Sequence, residues 1–143
     1  MNKEEIKKLL PHREPMLLVE QAEVNADGSA TGRYAVKGDE FFLQGHFPGN
    51  PVVPGVILCE MMAQTCCVLL ADMGGAGNAT PYFTTLDRVK FKNPVRPGDT
   101  FETTCRLTRQ KGPFHFGEAE GRVDGKLCAN CQFSFALVPH PAP

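Results

Sequence analysis

The sequence predicts an α+β domain in which an antiparallel sheet curls around one buried helix, and three observations predict it. From Val56 to Ala71 the only clearly polar residues are Glu60, Gln64 and Thr65, so a helix there is apolar nearly all round, the pattern of a helix enclosed by its own domain. At least five other segments are strand-like, several alternating apolar and polar residues with period two. Clusters of Gly, Pro, Asn and Asp separate them at hairpin spacing. A sheet with one apolar and one wet face covers such a helix most simply by wrapping it.

Taken in order, Lys3 to Leu10 forms a short amphipathic helix with Ile6, Leu9 and Leu10 on one side, ended by Pro11. Met16 to Val24 reads as a strand, Asn25-Ala26-Asp27-Gly28 as a turn, and Thr31 to Val36 as a second strand. Lys37-Gly38-Asp39 interrupts the hairpin, and Phe41-Phe42-Leu43 leads into a Pro/Gly-rich turn. The long helix runs to about Met73, where Gly74-Gly75-Ala76-Gly77-Asn78 stops it. That glycine cluster lacks the spacing of a phosphate loop and follows a helix rather than a strand. In Thr100 to Gln110, Phe101, Cys105 and Leu107 share one parity and Glu102, Thr104, Arg106, Thr108 and Gln110 the other. In Lys126 to Val138, Leu127, Ala129, Cys131, Phe133, Phe135 and Leu137 form the apolar side, while Cys128, Asn130, Gln132 and Ser134 face away. Asp124-Gly125 is a favoured tight turn, and residues 139–143 read as a frayed tail.

The 143 residues read as one domain, 1–143, long enough to bury roughly two-thirds of its unfolded surface without a disulfide or metal staple. A net charge of −1 and a pI near 6.4 argue against a nucleic-acid binder. The N-terminus, Met1-Asn2-Lys3-Glu4-Glu5, has no apolar run of a secretory signal, and the long helix is too short and too polar at Glu60 for a membrane span of roughly 20 residues. The expectation is a soluble cytoplasmic protein. Its six cysteines then read as reduced thiols. Cys128 and Cys131 would diverge on a strand, so no metal site is expected, and Cys59, Cys66 and Cys67 are small apolar helix residues.

The chemistry concentrates between Gly45 and Gln64. Glu60 sits on the apolar helix, where an unpaired carboxylate takes up a proton rather than stay ionised, which makes it a candidate general acid. His46 precedes it across Pro48, Gly49, Pro51, Pro54 and Gly55, a stretch able to fold the chain back and bring both into one pocket. Gly55 opens the helix, so its backbone N–H and the positive end of the helix dipole suit a carbonyl oxygen gaining negative charge. Gln64, one turn after Glu60, is placed to hold the carboxyl. The plainer alternative makes His46 a hydrogen-bonded turn residue and Glu60 a core carboxylate paired with an arginine.

Gly-His-Phe-Pro-Gly-x-Pro-x-x-Pro-Gly-Val from Gly45, followed by Glu-x-Met-Ala-Gln from Glu60, resembles the signature of the β-hydroxyacyl-[acyl carrier protein] dehydratases of type II fatty acid synthesis, which have the hotdog fold. Leu10-Pro11-His12-Arg13 with Leu17-Leu18-Val19, Tyr82-Phe83, Asp87, Phe91-Lys92, Pro94-Val95, Pro97-Gly98-Asp99 and Asp124-Gly125-Lys126 extend the resemblance over nearly the whole chain. Met61 stands where the family commonly has alanine, and Cys59 replaces an aliphatic residue, two departures that bear on pocket width. The resemblance implies dehydration of a (3R)-hydroxyacyl chain on acyl carrier protein to the trans-2-enoyl chain, without a cofactor, with His46 as base and Glu60 as acid. It also implies that one site draws its histidine and glutamate from two subunits of a homodimer, and that dimers assemble further into a trimer of dimers. His12, within the N-terminal motif, reads as structural, and His115 has no assigned chemistry.

Tyr82 and Phe83 fall where the family borders its acyl tunnel, although strand aromatics are as readily packing residues. Arg88, Lys90 and Lys92 alternate with Val89 and Phe91, with Arg96 in the next loop. This stripe is either a solvated face or a dock for the acidic carrier protein, with Arg106, Arg109 and Lys111 as the next cluster. Two other functions fit parts of the sequence. A hotdog thioesterase would use Glu60 to activate water but has no need of His46, and a non-catalytic acyl-carrier binding module would explain neither residue.

Overall fold

The computed structural model describes residues 1–73 and 79–139. Six strands form one antiparallel sheet: β1 (Gln21–Val24), β2 (Ala30–Ala35), β3 (Ala79–Phe91), β4 (Thr100–Lys111), β5 (Phe114–Val123) and β6 (Lys126–Pro139), in the order β1-β2-β4-β5-β6-β3. A short helix, α1 (Lys3–Lys7), precedes them, and α2 (Gly55–Cys67) is the central helix, continued by a 3₁₀ stretch, Val68–Met73. Within α2, Leu58, Cys59 and every residue from Met61 to Cys67 are buried against the sheet. The α+β expectation therefore holds, with α-helical geometry ending earlier than Met73.

Glycines let the sheet close on the helix. A β-carbon on Gly32 of β2 would collide with the Thr65 side chain, and one on Gly117 of β5 would lie 3.1 Å from Cys66 Sγ. The absence of both β-carbons lets strand backbone come against the helix side chains at these two points. The Asp124-Gly125 turn has φ of 50° and 79°, as a hairpin turn with two left-handed residues requires.

Several local expectations are corrected. Only Gln21–Val24 of the 16–24 segment is a strand. Leu17, Leu18 and Val19 are all buried in succession, and the backbone there bonds a helix side chain: Leu18 N–H donates to Gln64 Oε1 at 2.8 Å, and Gln64 Nε2 donates to the Met16 carbonyl at 2.7 Å. In β6, Cys128 and Ser134 are buried rather than wet. Cys128 falls at a register shift opposite Gly121 and Arg122, under Lys92 and Asn93, whose N–H groups reach its carbonyl. Ser134 Oγ shares hydrogen bonds with the hydroxyls of Thr84 and Thr85. Pro139 pairs with Ala79 rather than fraying, while 140–143 and the glycine cluster 74–78 lie outside the described residues. All six cysteines are free and buried.

The sheet is unequal at its edges. Among the described residues β3 pairs with β6 on one side only, and Tyr82, Phe83, Leu86 and Phe91 along it are exposed. Apolar side chains displayed along an unpaired strand are an association surface.

Candidate active site

The Gly45–Val53 turn is held by its own backbone before any side chain acts. Phe47 and Asn50 exchange N–H and carbonyl at 3.0 and 2.9 Å, and Val52 N–H donates to the His46 carbonyl at 2.9 Å. Arg96 Nη1 reaches Asn50 Oδ1 at 2.6 Å, so this arginine braces the turn. His46 Nδ1 lies 2.9 Å from the Val52 carbonyl oxygen. A carbonyl only accepts, so Nδ1 carries the proton and Nε2 keeps its lone pair, the tautomer of a base. The ring stacks on Phe47 at 4.0 Å.

α2 starts without a side-chain cap. The Pro54 carbonyl takes the N–H groups of Ile57 and Leu58, so the first turn, at Gly55 and Val56, presents its N–H groups outward, where the helix dipole favours negative charge.

Glu60 is half-buried, its side chain 22% exposed, not enclosed as the apolar run suggested. Its environment is a cleft of about 30 Å³ with His12, Glu60 and Gln64 at the polar side and Cys67, Phe83 and Phe135 on the apolar wall. Gln64 Nε2 donates to Glu60 Oε2 at 2.7 Å, so the expected partnership of Gln64 and Glu60 is present. Gln64 is itself buried, with its amide also engaged by Leu18 and Met16. His12 Nε2 faces the same carboxyl oxygen at 3.6 Å, and burial pushes the imidazole below its ordinary value, against the opposing pull of Glu60. The plainer reading of Glu60, a carboxylate paired with an arginine, is not what surrounds it.

His46 does not line this cleft. Within one chain the structure brings Glu60, Gln64 and Phe83 together, with His12 added, and leaves His46 and Gly55 on the approach to α2. Tyr82 is exposed and also outside the cleft. His12 is the residue that sequence reasoning missed, because its approach to Glu60 depends on the folding back of the N-terminal segment, not on spacing.

The basic stripe lies elsewhere. Arg88, Lys90 and Lys92 line a groove of about 590 Å³ on the outer sheet face together with Arg106, Glu118 and Glu120. Arg88, at a β3 irregularity, has φ of 50°. Arg106 is paired with Asp27 at 2.7 Å, and Arg109 lies over the Phe116 ring at 4.2 Å.

A sheet wrapped around one helix with a carboxyl on that helix defines a hotdog-fold protein. A FabA-like domain model matches residues 10–132. The chain is 40% identical over 136 residues to the 3-hydroxyacyl-[acyl-carrier-protein] dehydratase FabZ of Macrococcus caseolyticus, covering 94% of each protein. It is 39% identical over 137 residues to the FabZ of Clostridium perfringens, covering 96% of this chain and 99% of that one. Among solved structures, it superposes on a chain of the dehydratase heterocomplex ApeI:P from Xenorhabdus doucetiae with a TM-score of 0.79 at 23% identity, covering 94% of this chain and 91% of that one. The chain belongs to the FabA-like family.

Proposed function

We propose that the chain is a 3-hydroxyacyl-[acyl carrier protein] dehydratase, removing water from a (3R)-hydroxyacyl chain to leave the trans-2-enoyl thioester in fatty acid elongation. His46 Nε2 takes the α-proton. The electrons of that C–H bond form the double bond to the β-carbon, the β-carbon to oxygen bond breaks, and the hydroxyl leaves as water with the proton of Glu60. The Gly55 N–H stabilises the thioester oxygen as charge gathers on it. The observation that carries this reading is that both groups have their polarity preset: Val52 fixes His46 with Nε2 free, and Gln64 fixes one oxygen of Glu60.

The site is completed by a second copy of the chain. His46 stands outside the Glu60 cleft, and that cleft of about 30 Å³ has room for about one water, not an acyl chain. A homodimer joined along the unpaired β3 edge would bring the histidine of one subunit to the glutamate of the other, with Tyr82 and Phe83 bordering the tunnel between them. The dimers assemble further into a trimer of dimers, as the resemblance implies. The acidic carrier protein docks on Arg88, Lys90 and Lys92. No described helix is long and apolar enough to cross a membrane, and the enzyme works in the cytoplasm.

The test follows the ultraviolet absorbance of the enoyl thioester with hydroxyacyl carrier proteins of several chain lengths. Enoyl product is expected, and His46→Ala and Glu60→Gln are each expected to lower turnover by roughly 10²–10⁴-fold. Release of the free carrier thiol without enoyl product would assign hydrolysis instead, and near-normal turnover in either variant would remove that residue from the mechanism.

A further inference from the structure

The two oxygens of Glu60 are not equivalent. Gln64 cannot flip its amide, because the Leu18 N–H needs the acceptor Oε1 and the Met16 carbonyl needs the donor Nε2. The other proton of Nε2 is therefore directed at Glu60 Oε2, and an amide nitrogen only donates. Oε2 accepts, and because the carbonyl oxygen of a protonated carboxyl accepts better than its hydroxyl oxygen, a protonated Glu60 carries its proton preferentially on Oε1. No hydrogen bond from the described residues reaches Oε1.

His12 addresses the same oxygen as Gln64. Its Nε2 lies 3.6 Å from Oε2, just beyond a hydrogen bond but close enough for an N–H dipole to act on the oxygen, and its Nδ1 is buried with no partner among the described residues. An orphaned buried nitrogen is costly, and least so as a bare lone pair on a neutral ring, which puts the ring proton on Nε2, facing Oε2. Its position is imposed by the adjacent Arg13, whose guanidinium gathers the carbonyls of Lys7, Leu10 and His12 itself. Burial opposes the imidazolium. An imidazolium at this distance would draw Glu60 into an ion pair and leave it no proton to give.

We infer that His12 is a positioning residue for the dehydration: with Gln64 it commits Glu60 Oε2 to accepting and so makes Oε1 the oxygen that delivers the proton to the departing hydroxyl. This rests on the reading of Glu60 as the acid. It assigns a role to a side chain that lines the cleft beside Glu60.

The experiment compares His12→Gln, His12→Leu and His12→Asn with the wild type on one hydroxyacyl carrier substrate. Glutamine can place an amide N–H near the position of the imidazole Nε2–H, leucine supplies bulk without a donor, and asparagine reaches only as far as Nδ1. His12→Leu is expected to lower kcat roughly 10- to 100-fold with KM nearly unchanged, since misorientation of a reacting group acts on the chemical step. His12→Gln should retain most of the activity. If His12→Leu does not fold, His12→Asn against His12→Gln gives the same contrast. Equal losses in the Gln variant and in the Leu or Asn variant, or a loss carried by KM and not by kcat, would overturn the assignment.

The double variant with Glu60→Gln separates the two readings. If Glu60 is the acid and His12 acts through it, His12→Leu adds little further loss in that background. A Glu60→Gln enzyme that turns over normally would overturn the role of Glu60 itself. A Glu60→Gln enzyme that is impaired, but in which His12→Leu still costs its full factor, would overturn only the role of His12.

Discussion

The ring of Phe91 lies against Gly55 so closely that a β-carbon on Gly55 would stand 2.7 Å from Phe91 Cζ. The first residue of α2 is thus glycine because an aromatic ring from β3 occupies the place of a side chain. Gly55→Ala is expected to push the ring aside and lower kcat/KM about tenfold, on the scale of a reacting geometry disturbed by a fraction of an ångström. In a Phe91→Ala background the same substitution should cost far less. Steady-state kinetics on the four proteins of this cycle check it, and equal losses in both backgrounds would place the effect in the helix start and not in the ring.

Gln64 links the N-terminal segment to the helix through two hydrogen bonds, to Leu18 and Met16. Gln64→Leu keeps the bulk but strands the Leu18 N–H and the Met16 carbonyl, each worth about 1–3 kcal/mol when buried without a partner. A loss of about 2–5 kcal/mol in urea unfolding is expected. A loss under 1 kcal/mol would mean that water or a shifted backbone takes over both groups.

Mixing His46→Ala with Glu60→Gln under conditions that exchange subunits should restore activity, since a hybrid dimer holds one site with both residues intact. Random exchange sets a ceiling of about one quarter of the wild-type sites. Proven exchange, by mass spectrometry of the mixed dimers, without recovery would mean that each chain builds its site alone.

Charge reversal at Lys90 and Lys92 should raise KM for the carrier-bound substrate and weaken its salt dependence, leaving a small pantetheine thioester nearly unaffected. Arg96 should behave differently. Because it holds Asn50 in the histidine turn, Arg96→Ala is expected to lower turnover of both substrates alike. An Arg96 variant that affected only the carrier substrate would return this residue to the docking surface.

Burial lowers the affinity of His115 for its proton, and its ring stacks on Phe135 at 5.7 Å. The folded value lies below the unfolded one, so its contribution to stability is complete above the ordinary histidine value of 6.5 and is lost as pH falls toward the folded value. His115→Phe should therefore flatten the decline in stability between pH 7 and about 5. Urea midpoints at the two pH values check this, and a decline as steep as that of the wild type would clear His115 of it.

How much of this was legible depended on whether a neighbour in sequence or a neighbour in space decided the outcome. The helix from Gly55 and the strands β2, β4 and β6 were readable because burial repeats with the period of the backbone. Leu17-Leu18-Val19 was misread as strand because its hydrogen bonds go to the side chain of Gln64, which no periodicity announces. Cys128 and Ser134 broke the expected alternation because a register shift and two threonines of β3 cover them. The pairing of Gln64 with Glu60 was local and was found, one helical turn apart. The approach of His12 was not, since it arises from the turn after α1 and from the arginine that gathers its carbonyls.

Thr65 seated at Gly32 and Cys66 seated at Gly117 act as two pegs in two notches, about 100° apart around the helix. Together they fix α2 along its own axis, so it cannot slide within the sheet without driving a side chain into backbone. The depth available beneath Glu60 is then not adjustable by moving the helix. Any descendant of this sequence that comes to accept longer or shorter acyl chains must do so residue by residue along the tunnel border, at side chains such as Tyr82 and Phe83, while the glycine notches stay as they are.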